Sequence, residues 1–373
     1  MKSRQHPPPI RFGGGRVTWR FACLPQLIGG RPYALVTYGE PFFDDLTARL
    51  SHMAGAPTLI VNDVAPNPDC RLLTAQCRRF AEASSRAEVI VALGGGSVID
   101  SAKVFAAAGG DFTWVRRFLE TKDGADALTA TPIIAVPTTA GTGSEVTCWA
   151  TVWDEANEKK YSLARPSLYP EAALIDPLLM CGKPRALTIS TGLDALSHAL
   201  ESLWNVNANP VSANHAVAAA RRIIDTMPKL AGDLDNVALR SDMAIASLSA
   251  GLAFSNTKTA IAHSLSYPLT LRHNLPHGIA CSFSLPMILR SMRGADGLCG
   301  EALARIFGGD IDRGAAELGN LLHTLGVSTD PKCYGVGVDE WHVLIAEALM
   351  GERGQNFLGS KNALLKSALP QAA

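Results

Sequence analysis

Four side chains in the second half of the chain have the types and spacing to hold a divalent metal. Asp194 and His198 stand four apart in Asp194-Ala-Leu-Ser-His198, which puts a carboxylate and an imidazole on one face of a helix. His263 lies in a second helical stretch, and His277 sits between Pro276 and Gly278. One Asp with three His is an oxygen and nitrogen donor set suited to Fe(II) or Zn(II). Taken singly, each histidine is more ordinary as a core or surface imidazole, and an Asp-x-x-x-His pair is common by chance. His6, His52, His215, His323 and His342 are read in that ordinary way.

Two loops have the chemistry of a phosphate cradle. Gly94-Gly95-Gly96-Ser97 directly follows the apolar run Val89-Ile-Val-Ala-Leu93 and opens a helix containing Asp100 and Lys103. Glycines let a backbone approach a pyrophosphate, and the free amides of a helix start attract its charge. The spacing is not the G-x-G-x-x-G of the dinucleotide fingerprint, and a plain βα turn capped by Ser97 fits the same residues. Pro137-Thr-Thr-Ala-Gly-Thr-Gly-Ser-Glu145 follows a second apolar strand and concentrates hydroxyls and glycines. Two such loops at the carboxyl ends of parallel strands make a nucleotide crevice.

The elements that must carry these loops are legible in the pattern. Tyr33–Tyr38, Thr58–Val61, Val89–Leu93 and Pro132–Val136 read as strands without polar alternation. Helices are expected over Phe42–Met53, Asp69–Ser84 and from Ser97 to about Ala108. Apolar strands spaced by helices indicate a parallel sheet covered on both faces. Asp176-Pro177 and Lys183-Pro184 interrupt this pattern. Beyond them helices are expected at Pro184–Asn205, Pro210–Met227, Asn236–Phe254, Thr257–Leu271, Phe283–Arg293, Gly314–Leu325 and Val338–Met350. The expectation is therefore an α/β parallel-sheet dinucleotide-binding domain over residues 1–182 and an all-α, metal-binding catalytic domain over residues 183–373.

Composition narrows the partners. Lys plus Arg and Asp plus Glu are both 34, so no basic field exists to attract nucleic acid. The eight cysteines form no C-x-x-C pair and read as reduced thiols. The start MKSRQHPPPI has no apolar run behind it, and uninterrupted apolar stretches fall short of a spanning helix. A cytoplasmic protein with no membrane partner is expected.

Together these blocks resemble the iron-containing (group III) alcohol dehydrogenase family. The matching elements are Gly94-Gly-Gly-Ser-Val-Ile-Asp-Ser-Ala-Lys103, the Pro137–Glu145 loop, Asp194-x-x-x-His198, and His263 with Pro276-His277-Gly278. The resemblance spans residues 10 to 350 or so and implies the dehydroquinate synthase-like fold, with a catalytic cleft between its two domains. It implies that Asp194, His198, His263 and His277 hold Fe(II), with Zn(II) as the alternative. Gly95, Gly96 and Ser97 would then cradle the pyrophosphate of NAD(H) or NADP(H). Tyr38, Asp100, Thr138, Thr139, Thr142 and Lys160 would complete that site. A homodimer or higher homo-oligomer is also implied.

Three departures from the family pattern refine the substrate. Tyr267 stands where many members carry a second histidine of an H-x-x-x-H pair. Its phenol is a proton donor of higher pKa, with His273 as the alternative relay. Tyr38 replaces the usual acidic residue after the first strand, which removes a repulsion against NADP(H). Lys258, close before His263 in sequence, reads as a clamp for an anionic substrate group, with Arg272 or Arg165 as partner; the alternative is a solvated lysine. The stretches Ala262–Thr270 and Leu275–Phe283 look similar to the phosphonoacetaldehyde reductase branch, which implies reduction of phosphonoacetaldehyde to 2-hydroxyethylphosphonate. Other readings are a maleylacetate-type reductase, a generic alcohol dehydrogenase, or a zinc- and NAD-dependent lyase or cyclase of the dehydroquinate synthase type.

Overall fold

A computed structural model describes residues 15–83 and 87–367. The opening MKSRQHPPPI and the expected helix end at Ser84 lie outside the described residues. The chain divides into two compact units. One runs up to Thr139 and includes Gly143–Met180; the other comprises Ala140–Thr142 and the chain from Cys181 onward.

The first unit is built on a parallel sheet. Its strands are β1 (Arg16–Trp19), β2 (Tyr33–Val36), β3 (Leu59–Val61), β4 (Val89–Gly94), β5 (Ile133–Pro137) and β8 (Ala172–Ile175), ordered β1-β8-β5-β4-β2-β3. All five pairings are parallel. Every residue of β2, β4, β5 and β8 is buried, as expected of strands covered on both faces. The covering helices are α1 (Leu24–Ile28), α2 (Pro41–Ala54), α3 (Cys70–Ala83), α4 (Gly96–Ala108) and α5 (Phe112–Thr121). The chain runs outward from β2 to β3, then crosses back to place β4 beside β2. That reversal is a topological switch point, and it brings the loops after β2 and β4 to one carboxyl edge.

A two-stranded antiparallel hairpin, β6 (Trp149–Asp154) with β7 (Lys159–Ala164), completes this unit. The sequence pattern did not signal β1, β8, this hairpin or α5. β1 and β8 are only four residues each, too short for a period to stand out.

The second unit is all helical: α6 (Arg185–Leu203), α7 (Pro210–Gly232), α8 (Val237–Thr257), α9 (Ile261–His273), α10 (His277–Ser282), α11 (Leu285–Arg290), α12 (Gly297–Phe307), α13 (Ile311–Thr324), α14 (Val338–Met350) and α15 (Lys361–Ser367). Its core is one apolar cluster running from Ile189 to Leu364. Although α8 is apolar and long enough to cross a membrane, 56% of its most apolar stretch is buried within the protein. It is the core helix of this unit.

Two boundaries differ from the expectation for local reasons. The helix expected over Phe283–Arg293 is the shorter α11, which starts only at Leu285, with Pro286 in its first turn where a missing N–H costs nothing. The helix expected from Thr257 begins at Ile261. Thr257 instead closes α8, and Lys258 caps it at φ 64°, ψ 179°. That region of backbone space belongs almost wholly to glycine. Three side-chain amides hold Lys258 there: Asn207, Asn205 and Asn356 donate to the carbonyls of Thr257, Lys258 and Thr259.

Candidate metal centre and cofactor loop

The metal-suited residues converge within the helical unit. α6 presents Asp194 and His198 on one face, α9 presents His263, and α10 begins at His277. Gly278 lets α10 approach α6: a Cβ there would lie 1.8 Å from the Ser190 carbonyl oxygen. Asp194 Oδ1 lies 3.9 Å from His198 Nε2, 3.4 Å from His263 Nε2 and 3.9 Å from His277 Nε2. Ligand atoms bound at about 2.0–2.1 Å around one tetrahedral ion are separated by comparable distances.

The fit is supported by what is missing. Asp194 Oδ1 and His263 Nε2 are buried and have no hydrogen-bond partner among the described residues. Orphaned buried polar atoms are costly and call for a ligand. Cys281 joins Asp194, His263 and His277 in a set whose donor atoms lie within 4.8 Å of one another. His198, stacked at 4.0 Å on Phe254 and 4.5 Å on His263, flanks that set.

Glu201, on the next turn of α6, fixes His263. Its carboxylate accepts from the Ala262 amide at 2.5 Å and meets His263 Nδ1 at 2.6 Å. With Nδ1 against Glu201, Nε2 is the ring nitrogen that faces Asp194. Against burial, the neighbouring Cys281, Glu201 and Asp194 raise the His263 pKa, and a metal at Nε2 would take the place of the proton there. Burial opposes ionisation of Asp194, yet the three imidazoles hold its carboxyl well below the ordinary range. Burial lowers His198 to about 4, so it is neutral and able to act as a ligand at pH 7.

The glycine turn follows β4, and the other expected cofactor residues are distributed over both units. Gly95 is the N-cap of α4 and has no side chain to cap it, so the first amides of α4 are left to an anion. A Cβ on Gly95 would meet Thr139 Oγ1 at 3.3 Å and the Tyr38 hydroxyl at 3.6 Å. Burial pushes the Tyr38 pKa up, and Ser97 and the Glu40 carboxylate are near enough to act on it. The side chain of Thr138 is buried. Thr142 falls in the helical unit. Lys160 lies over the Trp153 ring at 4.8 Å.

Asp100 is used differently from the expectation. Its two oxygens accept from Ser144 Oγ at 2.6 Å and the Thr151 amide at 2.8 Å. The fully buried Lys103 completes that network, donating to the Ser144 and Trp149 carbonyls, both at 2.7 Å. The pair ties the hairpin to α4.

Two expected substrate residues are also reassigned. Lys258 turns outward, 58% exposed, and pairs with Glu352 at 3.5 Å; it is the solvated lysine. His273 meets Glu340 of α14 at 2.9 Å, which commits it to a helix–helix contact. Arg165 donates to the Thr129 carbonyl, and Arg272 is exposed. Tyr267 does lie one turn beyond His263 on the same face of α9, with the Arg353 guanidinium 4.9 Å above its ring. Sequence reading missed Glu201, Cys281 and Arg353. For the first two the signal was available: each follows a metal-suited residue by three or four on the same helix face.

Comparison with known proteins gives the family. The chain is 36% identical over 257 residues to phosphonoacetaldehyde reductase of Streptomyces viridochromogenes, covering 68% of this chain and 64% of that protein. It is 34% identical over 293 residues to 1,3-propanediol dehydrogenase of Citrobacter freundii, covering 76% of this chain and 73% of that protein. Among solved structures it resembles sulfoacetaldehyde reductase from Bifidobacterium kashiwanohense in complex with NAD+, with TM-score 0.87 and 28% identity over 97% of this chain and 98% of that one. Residues 7–177 match iron-containing alcohol dehydrogenase, and residues 188–361 match the C-terminal part of the same family. The chain belongs to the iron-containing alcohol dehydrogenase family.

Proposed function

We propose that this chain reduces a short aldehyde bearing an anionic group to the corresponding primary alcohol, consuming NADH and a proton and releasing NAD+. The observation that carries the redox reading is the buried set of donors around Asp194 Oδ1, with its orphaned atoms. The anionic refinement is supported by two relatives named for aldehydes carrying a phosphonate and a sulfonate.

Asp194, His198, His263 and His277 would hold the metal, and Gly95, Gly96 and Ser97 would receive the pyrophosphate, with Tyr38, Thr138, Thr139, Thr142 and Lys160 around the rest of the cofactor. When bound, the metal supplies Lewis acidity toward the substrate oxygen and the nicotinamide supplies hydride. Glu201 keeps His263 in the tautomer that exposes Nε2. Phe254 and the surrounding core exclude water from one side of His198. Tyr267 carries the phenolic proton nearest the donor set along α9.

The test is metal removal by chelation, reloading with Fe(II) or Zn(II), and NADH oxidation with phosphonoacetaldehyde, sulfoacetaldehyde and a neutral aldehyde of equal length. Metal-dependent oxidation favouring the anionic aldehydes is expected. No NADH oxidation with any aldehyde by the reloaded enzyme overturns the redox reading. Equal rates on the neutral aldehyde overturn the anionic refinement.

A further inference from the structure

Arg353 lies between the end of α14 and a short turn over Gly354–Asn356. Gly354 sets its backbone, since a Cβ there would fall 2.0 Å from the Ala348 carbonyl oxygen. The half-buried guanidinium rests 4.9 Å from the centre of the Tyr267 ring. A guanidinium over an aromatic face is held by the ring's electron cloud and keeps N–H donors available. Among the described residues that edge makes no hydrogen bond and no ion pair to the protein. The carboxylate that acts on it is Glu201, which is already engaged by His263 and the Ala262 amide.

A half-buried guanidinium with no protein partner keeps its donors open to water or to an anionic ligand. Burial draws its pKa down to about 10. Its place is set by two links to the donor set: Tyr267 is one turn from His263, and Glu201 bonds His263 directly. Lys258, the cation that the sequence offered for this purpose, is instead in solvent beside Glu352.

We infer that Arg353, held over the Tyr267 ring, is the specificity residue that receives the oxyanion group of the substrate. A phosphonate, sulfonate or carboxylate offers two oxygens to the fork, the geometry that guanidinium pairs with best. This assignment rests on the aldehyde-reductase reading above and adds to it the group that reads the anion. The aldehyde end of the same molecule would lie toward His263.

Two experiments separate this assignment from the reading on which it rests. The first is calorimetric binding of ethylphosphonate, ethanesulfonate and propionate, which carry the anion but no carbonyl, to wild type, Arg353→Met and Arg353→Lys. Wild type should bind at least one of them, and Arg353→Met, which keeps an apolar stem on the Tyr267 ring, should lose at least about tenfold in affinity. Arg353→Lys should recover part of that loss through charge alone. The three anions identify which oxyanion is preferred. Equal binding by wild type and Arg353→Met, or no binding by wild type, overturns the assignment whether or not the enzyme turns over.

The second experiment is the ratio of kcat/KM for anionic over neutral aldehyde. In Arg353→Met it should fall by a similar factor, through KM rather than kcat. An unchanged ratio overturns the assignment, including the case in which both substrates lose activity together because Arg353 merely supports the fold. Inactivity of wild type on every aldehyde would defeat the reductase reading alone, since the binding result stands apart from it.

Discussion

At the residue scale, the site depends on which nitrogen of each imidazole faces the cluster. Glu201 decides that for His263, because its carboxylate only accepts and so requires Nδ1–H. Glu201→Gln keeps the shape but introduces an amide donor, which stabilises the wrong tautomer. Metal affinity should fall about 10–100-fold, the usual consequence of altering an outer-shell partner, as measured by chelator competition. A second single-residue effect concerns cofactor choice. Tyr38 supplies no carboxylate at the end of β2, but Glu40 stands two residues on and acts on Tyr38. Glu40→Gln should raise the kcat/KM ratio of NADPH over NADH by roughly tenfold, the effect of about 1.4 kcal/mol of lost repulsion.

At the element scale, two local devices hold the loops in place. Lys103 is fully buried, and it anchors the β6–β7 hairpin through the Ser144 and Trp149 carbonyls. Lys103→Met leaves those acceptors and Asp100 uncompensated, so urea unfolding at pH 7 should show a loss of about 3–5 kcal/mol. Burial lowers the Lys103 pKa from 10.5 to about 8. Between those values the unfolded chain binds the extra proton, so this residue contributes stability that rises with pH across that window. The variant should lack that rise. The second device is the α8–α9 junction, where Lys258 occupies a glycine-like backbone region. Lys258→Gly should raise stability by about 1 kcal/mol, relief of strain exceeding the entropy of the added glycine.

At the scale of the whole molecule, the chain is a member of the iron-containing alcohol dehydrogenase family built from two compact units. The sheet unit presents the glycine turn, and the helical unit gathers the donors from α6, α9 and α10. Chelation should therefore increase hydrogen exchange in α6, α9 and α10 while leaving β4 and β5 protected, as read by mass spectrometry; loss of protection throughout the sheet would contradict this division. The sequence by itself determined the parallel strands, since β4 and β5 are apolar on both faces, the glycine turn after β4, and the Asp194–His198 face of α6. Those features are local: they follow from side-chain type and from the periods of a strand or helix. Spacing alone did not decide which long side chains reach the donor set. Lys258 is five residues from His263 yet points into solvent, because the backbone reverses between α8 and α9. Arg353 is ninety residues away in sequence yet rests on Tyr267, because α14 and the turn after it pack against α9. His273 and Asp100 were likewise claimed by Glu340 and by the Ser144–Thr151 segment, partners distant in sequence. Direction and partnership of a flexible charged side chain are set by what packs around it, so only the tertiary structure decided them.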